Sequence, residues 1–199
     1  MSEILAFNKW DCSNIKVEDP GLKKYINLDA VIVPKTGARY AGNRFHKSKI
    51  FIVERLINKL MVPGHRSRKH KITSGFCTGK AVTVYNLVYK ALEIIEKKLN
   101  KNPVEVLVKA IENAAPREEI ITIEYGGARY PKPVESAPQR RVDIVLKFIA
   151  QGAYQKAFSS KKPAENCIAD EIMNAYNFSQ SSAGIAKKLE VERQADASR

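Results

Sequence analysis

Only one stretch of this 199-residue chain alternates apolar and polar residues as a β-strand does, which limits the chain to a mostly helical fold. In the segment REEIITIEYGGARYPKPVE, the residues that fall on one face are Ile121, Ile123 and Tyr125. Gly126 and Gly127 follow where a two-residue hairpin turn needs positive φ. Because a lone hairpin is marginally stable in water, it must rest on helices or on a partner. The sequence therefore predicts one protruding two-stranded hairpin at about residues 119–134.

Apolar residues recur at helical spacing in six other segments, which predicts a six-helix, bundle-like body with the hairpin between helices three and four. Asn102 is predicted to cap helix three, ahead of Pro103 at the first helical position and Glu105 in the place of a capping box. The predicted segments run from after Ser48 to Pro63, from about 80 to 99, from Pro103 to Pro116, from Pro138 to about 158, from Pro163 to Tyr176, and onward from Ser181.

The first 47 residues show little of this periodicity and contain turn-forming and Gly- and Arg-bearing stretches instead. We expect residues 1–47 to form a partly irregular extension that becomes ordered mainly against a partner. Residues 48–199 are expected to form a single helical domain.

Positive charge is concentrated in one part of the chain. The net charge is +13, and between Lys35 and Lys80 there are twelve Lys or Arg and a single acid, Glu54. Like charges held together destabilise a compact state unless a polyanion neutralises them. Such a cluster is typical of binding to a phosphate backbone, where each contact releases counterions. The sequence therefore favours a nucleic acid as the partner.

Motifs for catalysis or cofactor binding are missing. The segment SGFCTGKA superficially resembles a phosphate-binding loop, but Ser74 and Ala81 stand where that loop needs Gly and Ser or Thr. Paired metal-ligand spacing is also missing from the candidate zinc ligands His46, His65, His70 and Cys77. We therefore expect no catalytic residues, no metal site, no cofactor and no enzymatic activity.

Cysteine usage and hydropathy bear on the compartment. The three cysteines lie far apart with no CxxC pair, so a disulfide framework is not expected. The N-terminal residues lack the features of a signal peptide, and no apolar run approaches the roughly 18 residues of a membrane span. We expect a cytoplasmic protein without a membrane partner.

Two places combine positive charge with a second feature that suits nucleic acid. Arg140 and Arg141 follow Pro138 at the start of helix four, where free N–H groups and the helix dipole also favour phosphate. On the hairpin, two cations accompany two tyrosines that either stack on bases or pack on the helical body; the four residues are Tyr125, Arg129, Tyr130 and Lys132.

Longer stretches carry a more specific signal than these patterns. The run NPVEVLVKAIENAAPREE, the hairpin with YGGARY, the helix start PQRRVD and the ending KKLEVERQADASR are similar to the small-subunit ribosomal protein seven family. The resemblance runs from about Val31 to Arg199, and the basic N-terminal tract and the Ser-Arg ending resemble the archaeal and eukaryotic branch.

The resemblance implies a six-helix body with a β-ribbon that is a structural constituent of the small ribosomal subunit in the cytoplasm. It implies primary binding to the 3′ major domain of small-subunit rRNA and nucleation of head assembly. The hairpin would reach toward the exit-site tRNA and the mRNA path, and the protein would neighbour other head proteins and a platform protein. An alternative is a helical DNA-binding regulator, which the long loop between helices one and two disfavours.

Site residues follow from the resemblance by position. Those expected to bind rRNA are Lys35, Arg39, Arg44, Lys47, Lys49, Arg66, Arg68, Lys69, His70, Lys71, Lys80, Arg117, Arg140, Arg141, Lys187 and Lys188. Those expected near tRNA and mRNA are Tyr125, Gly126, Gly127, Arg129, Tyr130 and Lys132. Ala137 stands where relatives usually have Ser, which removes a helix cap worth about 1 kcal/mol. We expect Ser136 to substitute for it.

Overall fold

The computed structural model describes residues 4–37, 39, 42–63 and 79–199. Within these ranges the chain forms a short 3-10 helix, His46–Lys49, followed by α1 (Ile52–Met61), α2 (Ala81–Leu99), α3 (Pro103–Ala114), β1 (Glu118–Tyr125), β2 (Ala128–Glu135), α4 (Pro138–Ala157), α5 (Ala164–Tyr176) and α6 (Ala183–Ala197). The predicted fold, mostly α with six helices and one hairpin between helices three and four, is confirmed. No helix of the described part is long and apolar enough to cross a membrane.

Helix starts follow the local chemistry in some places and not in others. The Asn102 side chain accepts a hydrogen bond from the Val104 amide at 3.0 Å, so the predicted cap of α3 is confirmed. The predicted start of α1 directly after Ser48 is too early, because Ser48 lies inside the 3-10 helix and buried Phe51 directly precedes α1. Ser182, one residue after the predicted Ser181, caps α6 by accepting from the Gly184 amide at 3.2 Å.

The start of α4 has no side-chain cap. Ala137 occupies the cap position, and Ser136 does not replace it, so the expected substitution is wrong. The Ser136 hydroxyl instead donates to Glu119 Oε1 at 2.6 Å, which ties the start of α4 to the hairpin.

Helix α5 lies at the centre of the body, where it packs against α2, α3 and α4. Its Glu171 is fully buried and accepts hydrogen bonds from Lys156 Nζ at 2.5 Å and from the Ser182 hydroxyl at 2.9 Å. A Cβ at Gly152 would come within 2.6 Å of the Ala183 Cβ, so only glycine permits this approach of α4 to α6. These contacts hold three helices around one buried carboxylate.

The N-terminal segment contributes to the same hydrophobic core. Phe7 and Trp10 are buried, and the Phe7 ring lies 5.1 Å from Tyr85 and the Trp10 ring 5.6 Å from Tyr89, both on α2. Leu22 and Ile26 are also buried in this core. The division of the chain at residue 47 stays a prediction, but residues on both sides of it share one core.

The hairpin pairs its two strands in an antiparallel register from Glu118 opposite Glu135 to Tyr125 opposite Ala128. Gly126 and Gly127 have φ of 57° and 81°, as the predicted turn requires. The side chains of residues 121–132 are all exposed. Only the base of the hairpin is therefore in a position to be fixed by the helices.

Candidate nucleic-acid interface

A cleft of about 710 Å³ lies between residues 42–47, α1 and the start of α4. Five cations line it: Arg44, Lys47, Lys59, Arg140 and Lys147. Asp143 is the one acid among the described residues that line this cleft. The fold thus brings together cations from three parts of the chain that are up to about a hundred residues apart. We call this surface the cationic cleft.

The single acid of the cationic cleft is already bonded. Asp143 accepts from Lys47, and from Arg55 Nη2 at 3.2 Å. Arg55 is only 4 % exposed and also donates to the Tyr25 carbonyl at 2.7 Å. Burial lowers the pKa of Arg55, and the attraction of Asp143 opposes that shift. Asp143 is therefore already bonded to Lys47 and Arg55, and no carboxylate among the described residues pairs with Arg44, Lys59 or Lys147.

Lys59 and Lys147 were missed by the sequence analysis. Lys147 is exposed and Lys59 half-exposed, and among the described residues no carboxylate pairs with either. A signal for Lys147 was present, because Arg140, Ile144 and Lys147 recur at the spacing of one helix face. Lys59 had no such signal, since its place opposite α4 depends on tertiary packing.

The cationic cleft continues toward α6. A smaller cavity of about 150 Å³ is lined by Arg140, Lys147 and Lys187, by the acid Glu119, and by apolar residues that lie mainly on α4 and α6. Lys187 Nζ lies 2.7 Å from Oε1 of Glu190, one turn further along the same helix. The predicted residue Lys187 thus borders the cleft, although its charge is partly neutralised.

The adjacent residues Arg140 and Arg141 have different surroundings. Arg140 donates to Glu119 through Nε at 2.9 Å and Nη2 at 2.7 Å, and these bonds lower the pKa of Glu119. Arg141 has a side chain only 12 % exposed, which donates to the Pro116 carbonyl at 3.0 Å and to Asp19 at 2.9 Å. Arg140 therefore faces the cationic cleft, whereas Arg141 points into the protein.

Arg141 belongs to a second cavity, of about 460 Å³, on the α3 and α6 side. Its lining mixes four cations with three acids: Lys109, Arg117, Arg141 and Lys188, with Glu18, Asp19 and Glu112. Lys188 Nζ donates to the Asn113 carbonyl at 2.8 Å, and burial lowers the pKa of Lys188. We call this second site the mixed-charge cavity. The structure thus separates Arg117, Arg141 and Lys188 from the cationic cleft.

Four further predicted residues that the structure describes before and after α1 are exposed but do not lie together in the cationic cleft. Lys35 borders an apolar cavity of about 760 Å³, and Lys80 immediately precedes α2. Arg39 and Lys49 are exposed outside the cationic cleft. The predicted loop residues Arg66, Arg68, Lys69, His70 and Lys71 lie outside the described residues.

On the hairpin, the tyrosines do not pack on the helical body. Tyr125 is 80 % exposed and Tyr130 is 53 % exposed. Of the two alternatives left open by the sequence, packing on the helical body is therefore excluded, and both rings are free to stack on bases. Tyr130 lies opposite Ile123, and Lys132 opposite Ile121, on the same face as Tyr125. On the opposite face, Arg129 Nε lies 3.5 Å from Glu124 Oε2. One face of the hairpin therefore offers aromatic surface together with a cation.

Groups suited to catalysis are bonded or buried where the structure describes them. Burial raises the pKa of the Cys12 thiol to about 11, so it is not a thiolate at neutral pH. Glu54, in the apolar cavity, accepts from the Thr36 amide and hydroxyl, both at 2.7 Å. Across residues 4–37, 39, 42–63 and 79–199, no group of three or more potential metal ligands comes together.

Comparison with known proteins gives a consistent result. The family model described as ribosomal protein S7p/S5e matches residues 22–199. A protein of Nanoarchaeum equitans named small ribosomal subunit protein uS7 is 51 % identical, over 97 % of this chain and 98 % of its own length. Proteins of the same name from Archaeoglobus fulgidus and Methanothermobacter thermautotrophicus are each 48 % identical, over 99 % and 95 % of this chain and 96 % of their own lengths. The resemblance seen in the sequence is confirmed, and this chain belongs to the ribosomal protein S7p/S5e family, in its archaeal and eukaryotic branch, whose members are structural and not enzymatic.

Proposed function

We propose that this protein is a structural component of the small ribosomal subunit that binds the 3′ major domain of rRNA and starts assembly of the head. The cationic cleft is the observation that carries this proposal. Its cations Arg44, Lys59 and Lys147 have no carboxylate partner among the described residues, while its one acid is bonded to Lys47 and Arg55. Such a surface needs an external polyanion, and folded rRNA supplies phosphates at close spacing.

The geometry of the cationic cleft suits a phosphate backbone better than a small anion. Its cations come from residues 42–47, α1 and α4, and they surround an open space of about 710 Å³. Lysine and arginine side chains on such a surface contact successive phosphates and fix the position of the RNA, while carrying little sequence information themselves. Recognition of folded RNA by shape fits this arrangement.

The remaining predicted contacts extend this surface. Lys35, Arg39, Lys49, Lys80 and Lys187 are proposed to contact rRNA around the cationic cleft, together with the basic segment that the sequence places between helices one and two. Arg117, Arg141 and Lys188 are proposed to act mainly within the protein, because Arg141 and Lys188 already bond to its interior. The hairpin is proposed to approach exit-site tRNA and mRNA with Tyr125 and Tyr130, whose exposed rings can stack on unpaired bases. Other head proteins and a platform protein are the proposed neighbours.

The test is binding of the purified protein to a transcript of the 3′ major domain over a range of salt concentrations. If six to ten phosphates are contacted, affinity falls by about 10³ to 10⁵ between 50 and 200 mM salt. The double variant Lys59→Ala/Lys147→Ala removes two contacts, so the slope of log K against log salt becomes shallower by about 2.

The matched control removes two lysines outside the cleft. Lys90 and Lys97 are exposed on α2 and do not line the cationic cleft. The variant Lys90→Ala/Lys97→Ala lowers the net charge equally and leaves the slope nearly unchanged. Binding to the transcript that persists in the presence of a duplex DNA competitor excludes general polyanion binding. Equal effects of the two double variants, or a flat salt response of the native protein, contradict the proposal.

A further inference from the structure

Two successive acids at the base of the hairpin are each held by an arginine from a different helical region. Arg199, at the C-terminal end beyond α6, donates through Nη2 to Glu118 Oε1 at 2.6 Å and Oε2 at 2.7 Å. Arg140, in the first turn of α4, holds Glu119 through Nε and Nη2. Because adjacent residues of a strand point to opposite faces, the hairpin base is gripped on both faces.

Further contacts close around the same base. The Ser136 hydroxyl donates to Glu119 at 2.6 Å, and the Arg117 amide donates to Glu192 of α6 at 3.0 Å. Beyond these contacts, residues 121–132 are exposed along both strands. Helix α6 also packs against both strands of the hairpin. The direction of the hairpin relative to the helical body is therefore set at its base.

The length of the hairpin amplifies small motions at its base. Each strand has eight residues, and at about 3.4 Å per residue this gives a ribbon of about 27 Å. A tilt of about 10° at the base moves the tip by about 5 Å, which exceeds the range of a hydrogen bond. An exposed ribbon of this length needs a fixed base if its tip is to meet a defined target.

We propose that Glu118 and Glu119, with Arg199 and Arg140, form a clamp that aims the hairpin at its RNA target. The inference rests on the proposed function for the target and adds the positioning residues. Arg140 belongs to both sites, because its Nε and Nη2 donate to Glu119 and the residue also lines the cationic cleft. Arg199 is a positioning residue that acts through Glu118.

The clamp is tested first in the free protein by NMR. Order parameters of the backbone amides at 121–130 and 132, derived from residual dipolar couplings, are expected near the value of about 0.85 typical of rigid backbone. In Glu118→Gln/Glu119→Gln they fall below about 0.6, while those of the helices stay unchanged. The control is Glu124→Gln, which removes a hairpin carboxylate whose ion pair in the described part of the chain is with Arg129 of the opposite strand, and it leaves the order parameters unchanged. Equal values in the native protein and the double variant overturn the clamp.

A charge exchange separates pairing from other roles of these residues. Glu118→Arg alone places two cations together and loosens the hairpin, and adding Arg199→Glu restores its order parameters. Absence of this rescue overturns the role of Arg199. If a Glu118 variant fails to fold, Arg199→Gln alone tests the clamp, because the Arg199 side chain is exposed and its replacement leaves the core intact.

Footprinting on the 3′ major domain with exit-site tRNA then tests the target. Nucleotides that lose protection in Tyr125→Ala/Tyr130→Ala report contacts of the hairpin. In Glu118→Gln/Glu119→Gln the same nucleotides lose protection, while nucleotides protected by the cationic cleft keep it. If the native protein gives no tyrosine-dependent protection, the proposed hairpin contact is contradicted, and the NMR result still decides whether the clamp exists.

Discussion

The cationic cleft and the mixed-charge cavity contain the same kinds of residues but use them differently. In the cleft, Lys59 and Lys147 face solvent without a carboxylate partner in the described part of the chain. In the cavity, Arg141 and Lys188 donate to backbone carbonyls of the protein itself. The difference teaches that a basic residue in this chain is assigned to RNA or to the fold by its bonds and burial, and not by its place in a basic sequence motif.

The largest effect is expected from the buried cation beneath the cationic cleft. Arg55→Ala leaves Asp143 and the Tyr25 carbonyl without their buried donor, so the free energy of unfolding falls by about 3 kcal/mol, the lower end for breaking a buried pair. Urea denaturation measures it. An unchanged midpoint would show that Arg55 is not the internal cation that its 4 % exposure indicates.

A smaller loss of stability is expected from the mixed-charge cavity. Arg141→Ala removes the donor to Pro116 and Asp19, which costs about 1–3 kcal/mol in the free energy of unfolding. Because Arg141 points into the protein, the salt slope of rRNA binding should stay at the native value. A slope shallower by about 1 with unchanged stability would instead assign Arg141 to a phosphate.

A lysine of the cationic cleft is expected to give the opposite result, with little change in stability and a change in rRNA binding. Lys147→Ala should change the free energy of unfolding by no more than about 0.5 kcal/mol, as is usual for an exposed residue without partners. The same change should make the salt slope of rRNA binding shallower by about 1, because one phosphate contact is lost. Opposite effects of Lys147→Ala and Arg141→Ala on stability and on the salt slope would show that the two regions differ in function. Equal effects would show that they do not.

The smallest effect concerns the pH dependence of stability. Burial lowers the pKa of Lys188 in the folded protein below its ordinary 10.5. Between the two pKa values the unfolded chain binds more protons than the folded one, so the Lys188 contribution to stability rises as pH increases through that window. Relative to Lys188→Met, the native protein should therefore gain unfolding free energy as the pH rises toward ~10.5. A difference that is constant with pH would contradict the burial of this ammonium group.

Much of the fold was accessible from the sequence because local rules decide it. Helical periodicity predicts all six helices, the capping chemistry of Asn102 places the start of α3, and Gly126 and Gly127 place the hairpin turn. The packing of Phe7 and Trp10 on α2 was not accessible, because these residues lie in a segment without periodicity and meet tyrosines some 80 residues away.

The candidate site was only partly predictable for a related reason. Arg140 and Arg141 are indistinguishable in sequence, and their different roles depend on Glu119 and Asp19, which only the fold brings near. Glu119 accepts from Ser136 and Arg140 at the hairpin base, and its neighbours in the chain give no sign of these contacts. Lys59 was missed because its position opposite α4 is a property of helix packing and not of its neighbours in the chain.

The most direct measurement of the central claim is lysine acetylation of the protein, free and bound to the 3′ major domain of rRNA, read by mass spectrometry. Lys59 and Lys147 should react readily in the free protein and be protected in the complex, whereas Lys90 and Lys97 on α2 should react equally in both states. Protection of the α2 pair, with Lys59 and Lys147 still reactive in the complex, would contradict the assignment of the cationic cleft to RNA.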